Sequence, residues 1–184
     1  MRKIILNLAV TLDCYIEGPN GEIDWCNTDD SGDTDAFFDR FLPDVDAIFY
    51  GRISYDLWGQ YQPPAEATPG ERKIMDMINS KKKYVFSRTP RTDDKATFIT
   101  SDILQRVNEI RNEPGKNIWL YGGSNLVTEF INADLVDTYL LAVFPVILGS
   151  GKPLFSGIKE RKNLKLESVE TSKSGVMLVN YSRR

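Results

Sequence analysis

Residues 47–55, Ala-Ile-Phe-Tyr-Gly-Arg-Ile-Ser-Tyr, and residues 118–126, Ile-Trp-Leu-Tyr-Gly-Gly-Ser-Asn-Leu, follow one pattern: a short apolar run, glycine, then a helical spacing. An unbroken apolar run ended by glycine reads as a strand buried on both faces. A switch of period across the glycine marks the strand-to-helix turn of an α/β protein. The start of a helix leaves N–H groups unpaired and carries partial positive charge, while glycine lets a ligand approach the backbone. One such turn is ordinary capping. Two in a chain of 184 residues, one followed by Arg52, suggest a ligand with two phosphates, of the dinucleotide type.

The alternation extends outward from these turns. Lys3 to Val10 is rich in Ile, Leu and Val and predicts a strand, and Gly18 to Gly21 predicts a turn. From Asp33, Phe37, Phe38, Phe41 and Leu42 recur at helical intervals until Pro43 stops them. Val45 to Tyr50 is a strand and Ile53 to Trp58 a short helix before Pro63-Pro64. Thr68-Pro69-Gly70-Glu71 has capping-box spacing with Pro at the first helical position; it predicts a helix carrying Ile74, Met75 and Ile78 and ending near Lys81-Lys82-Lys83. Strands are expected at Tyr84 to Phe86 and Thr97 to Ile99, then a helix capped by Ser101 or Asp102 with Ile103, Leu104, Val107 and Ile110 on one face. Asn117 to Tyr121 is a strand, and Leu126, Val127, Phe130 and Ile131 form the inner face of a helix. Thr138 to Val146, Leu164 to Val169 and Val176 to Tyr181 have no helix between them, so they should pair antiparallel. The expected fold is a single α/β domain over residues 1–184, a mixed, mostly parallel sheet flanked by helices with antiparallel C-terminal strands.

Composition narrows the function. With 41% hydrophobic and 27% charged residues the chain can bury a substantial core. Lys+Arg 23 against Asp+Glu 26 gives a net charge of -3, so no nucleic-acid partner is expected. No stretch approaches the ~20 apolar residues of a membrane span, and a cytoplasmic protein is expected. The absence of histidine removes Ser-His-Asp and Cys-His nucleophile systems and most imidazole zinc sites. Cys14 and Cys26 form neither a CxxC motif nor a disulfide framework, so no metal site is expected. Neither GxGxxG nor GxxxxGK[ST] occurs. At Ser87-Arg88-Thr89 a guanidinium and two hydroxyls could grip a phosphate monoester.

Thr11-Leu12-Asp13 with Tyr15-Ile16, Gly51-Arg52-Ile53-Ser54-Tyr55, Ser87-Arg88-Thr89, Tyr121-Gly122-Gly123-Ser124 and Leu135-Val136-Asp137 together resemble the dihydrofolate reductase superfamily over nearly the whole chain. The stretch from Phe144 through Pro145-Val146-Ile147-Leu148-Gly149-Ser150-Gly151-Lys152-Pro153-Leu154 to Phe155 is similar to the branch containing the C-terminal reductase domain of the riboflavin-biosynthesis deaminase-reductase. The resemblance implies NADPH as hydride donor and a homodimer. It gives Gly51, Arg52 and Ser54 the cofactor phosphates, Gly122, Gly123, Ser124, Asn125 and Leu126 the other side of the pyrophosphate, and Ser87 and Arg88, with Thr89, the 2′-phosphate. Ile16 and the loop from Gly18 to Gly21 would approach the nicotinamide. Cys14 stands where the family usually has glycine, and the zinc deaminase motifs H-x-E and P-C-x-x-C are absent.

Reduction of C=N or C=O also needs a proton, which a carboxyl or ordered water must deliver in a chain without histidine. Asp35 is the first candidate: three residues before Phe38 and seven before Leu42, it would share their apolar face, where burial favours the protonated acid. The equally open alternative is an ionised Asp35 that complements a helix dipole. Asp39 and Asp13 are the other acids. Trp25, Phe38, Tyr50 and Trp58 are candidates to wall a flat heterocyclic substrate, although most aromatic side chains simply fill the core. The expected activity is reduction of a small pterin-, pyrimidine- or related heterocycle, 5-amino-6-(5-phosphoribosylamino)uracil-like or dihydrofolate-like. A non-catalytic NADP(H)-binding protein of the same fold is the alternative.

Overall fold

The computed structural model describes residues 1–26 and 33–184. In chain order the elements are β1 (Ile4–Thr11), β2 (Tyr15–Glu17), α1 (Asp33–Phe41), β3 (Val45–Gly51), α2 (Arg52–Ser54), α3 (Pro69–Asn79), β4 (Lys82–Phe86), β5 (Thr97–Ile99), α4 (Ile103–Asn112), β6 (Asn117–Gly122), α5 (Ser124–Asn132), β7 (Thr138–Phe144), β8 (Lys152–Pro153), β9 (Leu164–Thr171) and β10 (Met177–Arg183). Two compact units result, one from residues 1–3 and 34–123, the other from 4–33 and 124–184.

In the first unit the strands run in the order β5-β4-β3-β6, every pair parallel. Ala47, Ile48, Phe49 and Tyr50 are buried consecutively, as are Ile118, Trp119 and Leu120, so both glycine-terminated runs are covered on both faces as their sequences predict. Phe49 packs edge-on against Tyr84 and Phe86 at 5.7 and 5.2 Å. Phe41 of α1 meets Trp119 at 5.4 Å in the same manner. The capping box of α3 is present: the Thr68 hydroxyl accepts from the Glu71 N–H at 3.2 Å, and the Glu71 carboxylate accepts from the Thr68 N–H at 2.7 Å.

The second unit carries β1-β7-β10-β9, with β1 and β7 parallel and β10 antiparallel to both neighbours. Ile4, Leu6, Phe130 and Leu154 are fully buried there. The mixed, mostly parallel pairing with an antiparallel C-terminal end agrees with the sequence expectation.

Several boundaries differ for physical reasons. The helix expected to end near Lys81-Lys82-Lys83 stops at Asn79, and the strand expected from Tyr84 starts earlier, at Lys82. Lys83 is buried, but its ammonium donates to Gly59 O at 2.6 Å and Asn79 Oδ1 at 2.9 Å, which compensates a cation inside a strand. The short helix expected at Ile53 to Trp58 is the turn α2 followed by a wider π-type turn over Tyr55–Gly59. Asp102 does occupy the N-cap of α4, but with φ 50° and no side-chain cap. Strand β7 stops at Phe144, before Pro145, which has no N–H to donate. The small β2–β8 pair has too few residues to register as a periodic pattern.

Candidate cofactor site

In the first unit Gly51 stands opposite Phe86, and Tyr50 opposite Gly122. Parallel pairing therefore sets Gly51-Arg52, Ser87-Arg88-Thr89 and Gly122-Gly123 in a row along the carboxyl edge of one sheet, with neighbouring strands about 4.8 Å apart. Open α/β sheets take their ligands at this edge. The register of β3 on β6 shifts between Phe49 and Tyr50, which brings Gly51 against the backbone of the second glycine turn. A Cβ on Gly51 would lie 3.1 Å from Gly123 N and 3.4 Å from Gly122 O, and one on Gly123 would lie 3.2 Å from Ser54 Oγ. Gly51 has φ -72° and ψ 151°, which any residue adopts, so close approach rather than conformation requires glycine there. Gly122, at φ 123°, does use the freedom of glycine, and its bond to Gly123 is cis.

The hydroxyl of Ser87 accepts from the Thr89 N–H at 3.1 Å and donates to Thr89 O at 2.7 Å, closing a tight turn. Arg88 at its tip is exposed. Arg52 is half exposed and pairs with Asp56 at 2.9 Å. Arg91, which sequence reasoning missed, also pairs with Asp56, at 2.6 Å, and with Asp93, at 2.7 Å. Burial raises the affinity of Asp93 for a proton, but the Arg91 guanidinium, the Lys95 N–H and the Tyr55 hydroxyl outweigh it and hold that carboxyl below the usual range. Tyr55 is pushed up to about 12, chiefly by burial and then by its hydrogen bond to Asp93. No motif signals this cluster, because its bonded partners lie up to 38 residues apart.

In the second unit Gly122-Gly123 continues directly into α5, where Ser124 and Leu126 are buried and Asn125 is exposed. Ile16 is half-buried in β2. Gly18 donates to Glu22 O at 2.8 Å, and Gly21, at φ 87°, closes the loop by donating to Gly18 O at 3.1 Å. Cys14 has φ 64°, in the left-handed region that glycine adopts at least cost.

The three candidate acids have different surroundings. Asp13 accepts from Thr11 Oγ1 at 2.6 Å, Gly149 N at 2.8 Å and Leu148 N at 3.2 Å. These bonds, that from Thr11 foremost, hold its carboxyl below the usual range and make it a clamp on the 148–149 loop, ionised at neutral pH and so without a proton to give. Asp39 is exposed and pairs with Lys73 at 2.7 Å. Asp35 is half-buried, with its carboxyl against Gly70 in the first turn of α3, where a Cβ would collide with it. The expected apolar surroundings are thus replaced in part by the start of a neighbouring helix.

Among the aromatics, Tyr50 has no exposed surface and lies between Tyr55 and Tyr121, so its ring walls the core of the first unit. Phe38 is half-buried against Phe37 and Trp119. Trp58 is half-buried beside Tyr61. Trp25, in the second unit, is buried edge-on to Phe144 at 5.5 Å. A surface depression of about 490 Å³ opens at the amino edge of the first unit beside Arg2, Asp44 and Lys116, away from the glycine row.

A mostly parallel sheet with helices, antiparallel C-terminal strands and paired glycine turns at its carboxyl edge is the architecture of the dihydrofolate reductase superfamily. Within that class the chain belongs to the RibD C-terminal domain family, which it matches over residues 2–178. It is 53% identical to the uncharacterized protein YyaP of Bacillus subtilis (strain 168), over 98% of this chain and 94% of that one. Two solved structures share the fold. One is a Shewanella sp. PV-4 protein assigned provisionally to riboflavin biosynthesis, with TM-score 0.77, 23% identity and coverage of 100% and 99% of the two chains. The other is the diaminohydroxyphosphoribosylaminopyrimidine deaminase/5-amino-6-(5-phosphoribosylamino)uracil reductase of Thermotoga maritima, with TM-score 0.67 and 18% identity, in which 100% of this chain aligns with 57% of that one.

Proposed function

We propose that this chain is an NADPH-dependent reductase that transfers hydride to a small pterin-, pyrimidine- or related heterocyclic substrate. The observation that carries the reading is the glycine row of the first unit, where the backbone of Gly51 approaches Gly123 so closely that a methyl group would fill the gap. Two glycine turns held that close bare adjacent backbone with no side chain over it, and with the hydroxyl of Ser54 and the exposed guanidinium of Arg52 beside it this edge suits the oxygens of a diphosphate lying across it. Ser87, Arg88 and Thr89 stand in the same row at the place for a 2′-phosphate. Ser124, Asn125 and Leu126 begin the helix that follows Gly123 and belong to the same proposed grip. In the second unit Ile16 and the loop from Gly18 to Gly21 keep the approach to the nicotinamide. NADPH supplies the hydride when bound.

The protein must still deliver a proton to the atom beside the one that accepts hydride. Asp35 is the proposed donor, since the carboxyls of Asp13 and Asp39 are committed to hydrogen bonds and an ion pair. Trp25, Phe38 and Trp58 are the proposed walls for the flat substrate. A homodimer in the cytoplasm belongs to the same proposal. Supporting the dimer, Leu166, Val169 and Met177 are 50%, 49% and 37% exposed, and the pairing of β9 with β10 sets them on one face with Val179 and Tyr181.

The test is NADPH titration followed by NADPH oxidation with a panel of dihydropterins, dihydrofolate and aminopyrimidine ribosyl compounds. Saturable binding and turnover with one of them are expected, with turnover reduced by Asp35→Asn. Binding without oxidation of any compound, unchanged by Asp35→Asn, would turn the reading to a non-catalytic NADP(H)-binding protein. Failure to bind either NADPH or NADP⁺ would remove both.

A further inference from the structure

Arg91 lies in the loop after β4, beyond the Ser87–Thr89 turn, and its guanidinium is held on four sides. Nη1 donates to Asp56 Oδ1 at 2.6 Å and Nη2 to Asp93 Oδ2 at 2.7 Å. Its Cζ sits 5.4 Å from the ring centre of Tyr55 and 4.8 Å from that of Phe98. Both carboxylates are shared. The second oxygen of Asp56 accepts from Arg52 at 2.9 Å, and Asp93 also accepts from the Tyr55 hydroxyl at 3.0 Å and the Lys95 N–H at 2.9 Å. Arg88 makes no hydrogen bond or ion pair among the described residues.

Beside the proposed phosphate row, Arg52 and Arg91 thus share Asp56, and Arg91 is bonded to both acids. If Arg91 is removed, one positive charge is lost and the two carboxylate oxygens that it had covered are left bare near an incoming anion. Arg52 then becomes the sole guanidinium on Asp56. An isolated exposed ion pair contributes little to stability, but a change in local charge acts directly on a dianionic phosphate nearby. The stacking on Tyr55 and Phe98 keeps the guanidinium plane fixed, so its charge stays in place when ligand arrives.

We infer that Arg91 is a specificity-determining positioning residue: by covering Asp56 and Asp93 it keeps their charge from a phosphate monoester held at Arg88, and so sets a preference for NADPH over NADH. The inference rests on the proposed cofactor reading and concerns its 2′-phosphate end.

The experiment measures dissociation constants for NADPH and NADH by tryptophan fluorescence on the full chain, its Arg91→Ala and Arg91→Lys variants, and Arg91→Ala combined with Asp56→Asn. Arg91→Ala is expected to weaken NADPH on the order of tenfold at low salt while changing NADH less than about threefold, with the NADPH loss shrinking as salt shortens the screening length. Arg91→Lys should recover part of the loss by restoring charge without the fork, and Asp56→Asn should recover part by removing one uncovered acid. Equal weakening of both nucleotides, or an unchanged NADPH constant, overturns this inference and leaves the cofactor reading standing. Failure of the unmodified chain to bind NADPH overturns both together.

Discussion

Gly51→Ala probes the central geometry with one methyl group. The backbone at Gly51, φ -72° and ψ 151°, accepts alanine without strain, and the loss of unfolded-state freedom alone would stabilise the chain by about 0.4–1 kcal/mol. Against that, the new Cβ would meet Gly123 N at 3.1 Å and Gly122 O at 3.4 Å. Both are backbone atoms at the end of a paired strand and cannot rotate aside. Forcing a methyl group into such a packed place costs about 1–3 kcal/mol, so a net loss of about 1 kcal/mol is expected. For a chain of this length that corresponds to a fall in Tm of roughly 2–4 °C. The same methyl group would push apart the two glycine turns that bear the proposed diphosphate, so NADPH binding should weaken by about tenfold or more, near 1.4 kcal/mol. Gly123→Ala is the comparison, because its neighbour at 3.2 Å is Ser54 Oγ, the end of a side chain that can turn away. Its stability loss should be smaller than that of Gly51→Ala and should vanish when Ser54→Ala is added. Thermal unfolding and fluorescence titration read both quantities. A Gly51→Ala chain with raised Tm and unchanged NADPH affinity would refute the reasoning.

Three further perturbations address the scaffold. Folding holds the Asp13 carboxyl below its ordinary value of 3.8, chiefly through Thr11, so its contribution to stability is complete above that value and is lost as pH falls through the lower folded-state value. Denaturant unfolding should therefore show Asp13→Asn well below the unmodified chain at about pH 7 and the gap closing below about pH 4; a gap independent of pH contradicts the clamp. Thr68→Ala breaks the capping box of α3 and should cost about 1 kcal/mol, seen as a fall in Tm of roughly 2–4 °C; no fall would assign the helix start to other contacts. Val169→Lys places a charge on the apolar face of β9 and should convert a dimer to monomer in light scattering, whereas a dimer of unchanged mass would move the interface elsewhere.

The parts of the fold legible in sequence are those set by local chemistry. Thr68-Pro69-Gly70-Glu71 announces its own helix because all the capping partners lie within one turn. The glycine turns at 51 and 122–123 are legible because the apolar period changes across them, and the parallel pairing that lines them up follows from helices inserted between the strands. What stayed hidden depends on partners far along the chain. Lys83 reads only as one of three lysines near a helix end until Gly59 O and Asn79 are seen around its ammonium. Asp13 reads as a possible acid until the 148–149 N–H groups, 135 and 136 residues away, are found on it. Arg91 carries no motif at all; only the fold brings Asp56, Asp93, Tyr55 and Phe98 around it. The candidate site was therefore legible where backbone is proposed to bind and hidden where side-chain charge is arranged in three dimensions.

Backbone amide resonances of the isotope-labelled chain, followed while NADPH is added, test the central claim most directly. The account predicts that the largest shifts fall on residues 51–54, 87–89 and 122–123 and saturate together with one dissociation constant. Saturable binding that leaves those amides unmoved and shifts another region of the chain would contradict it.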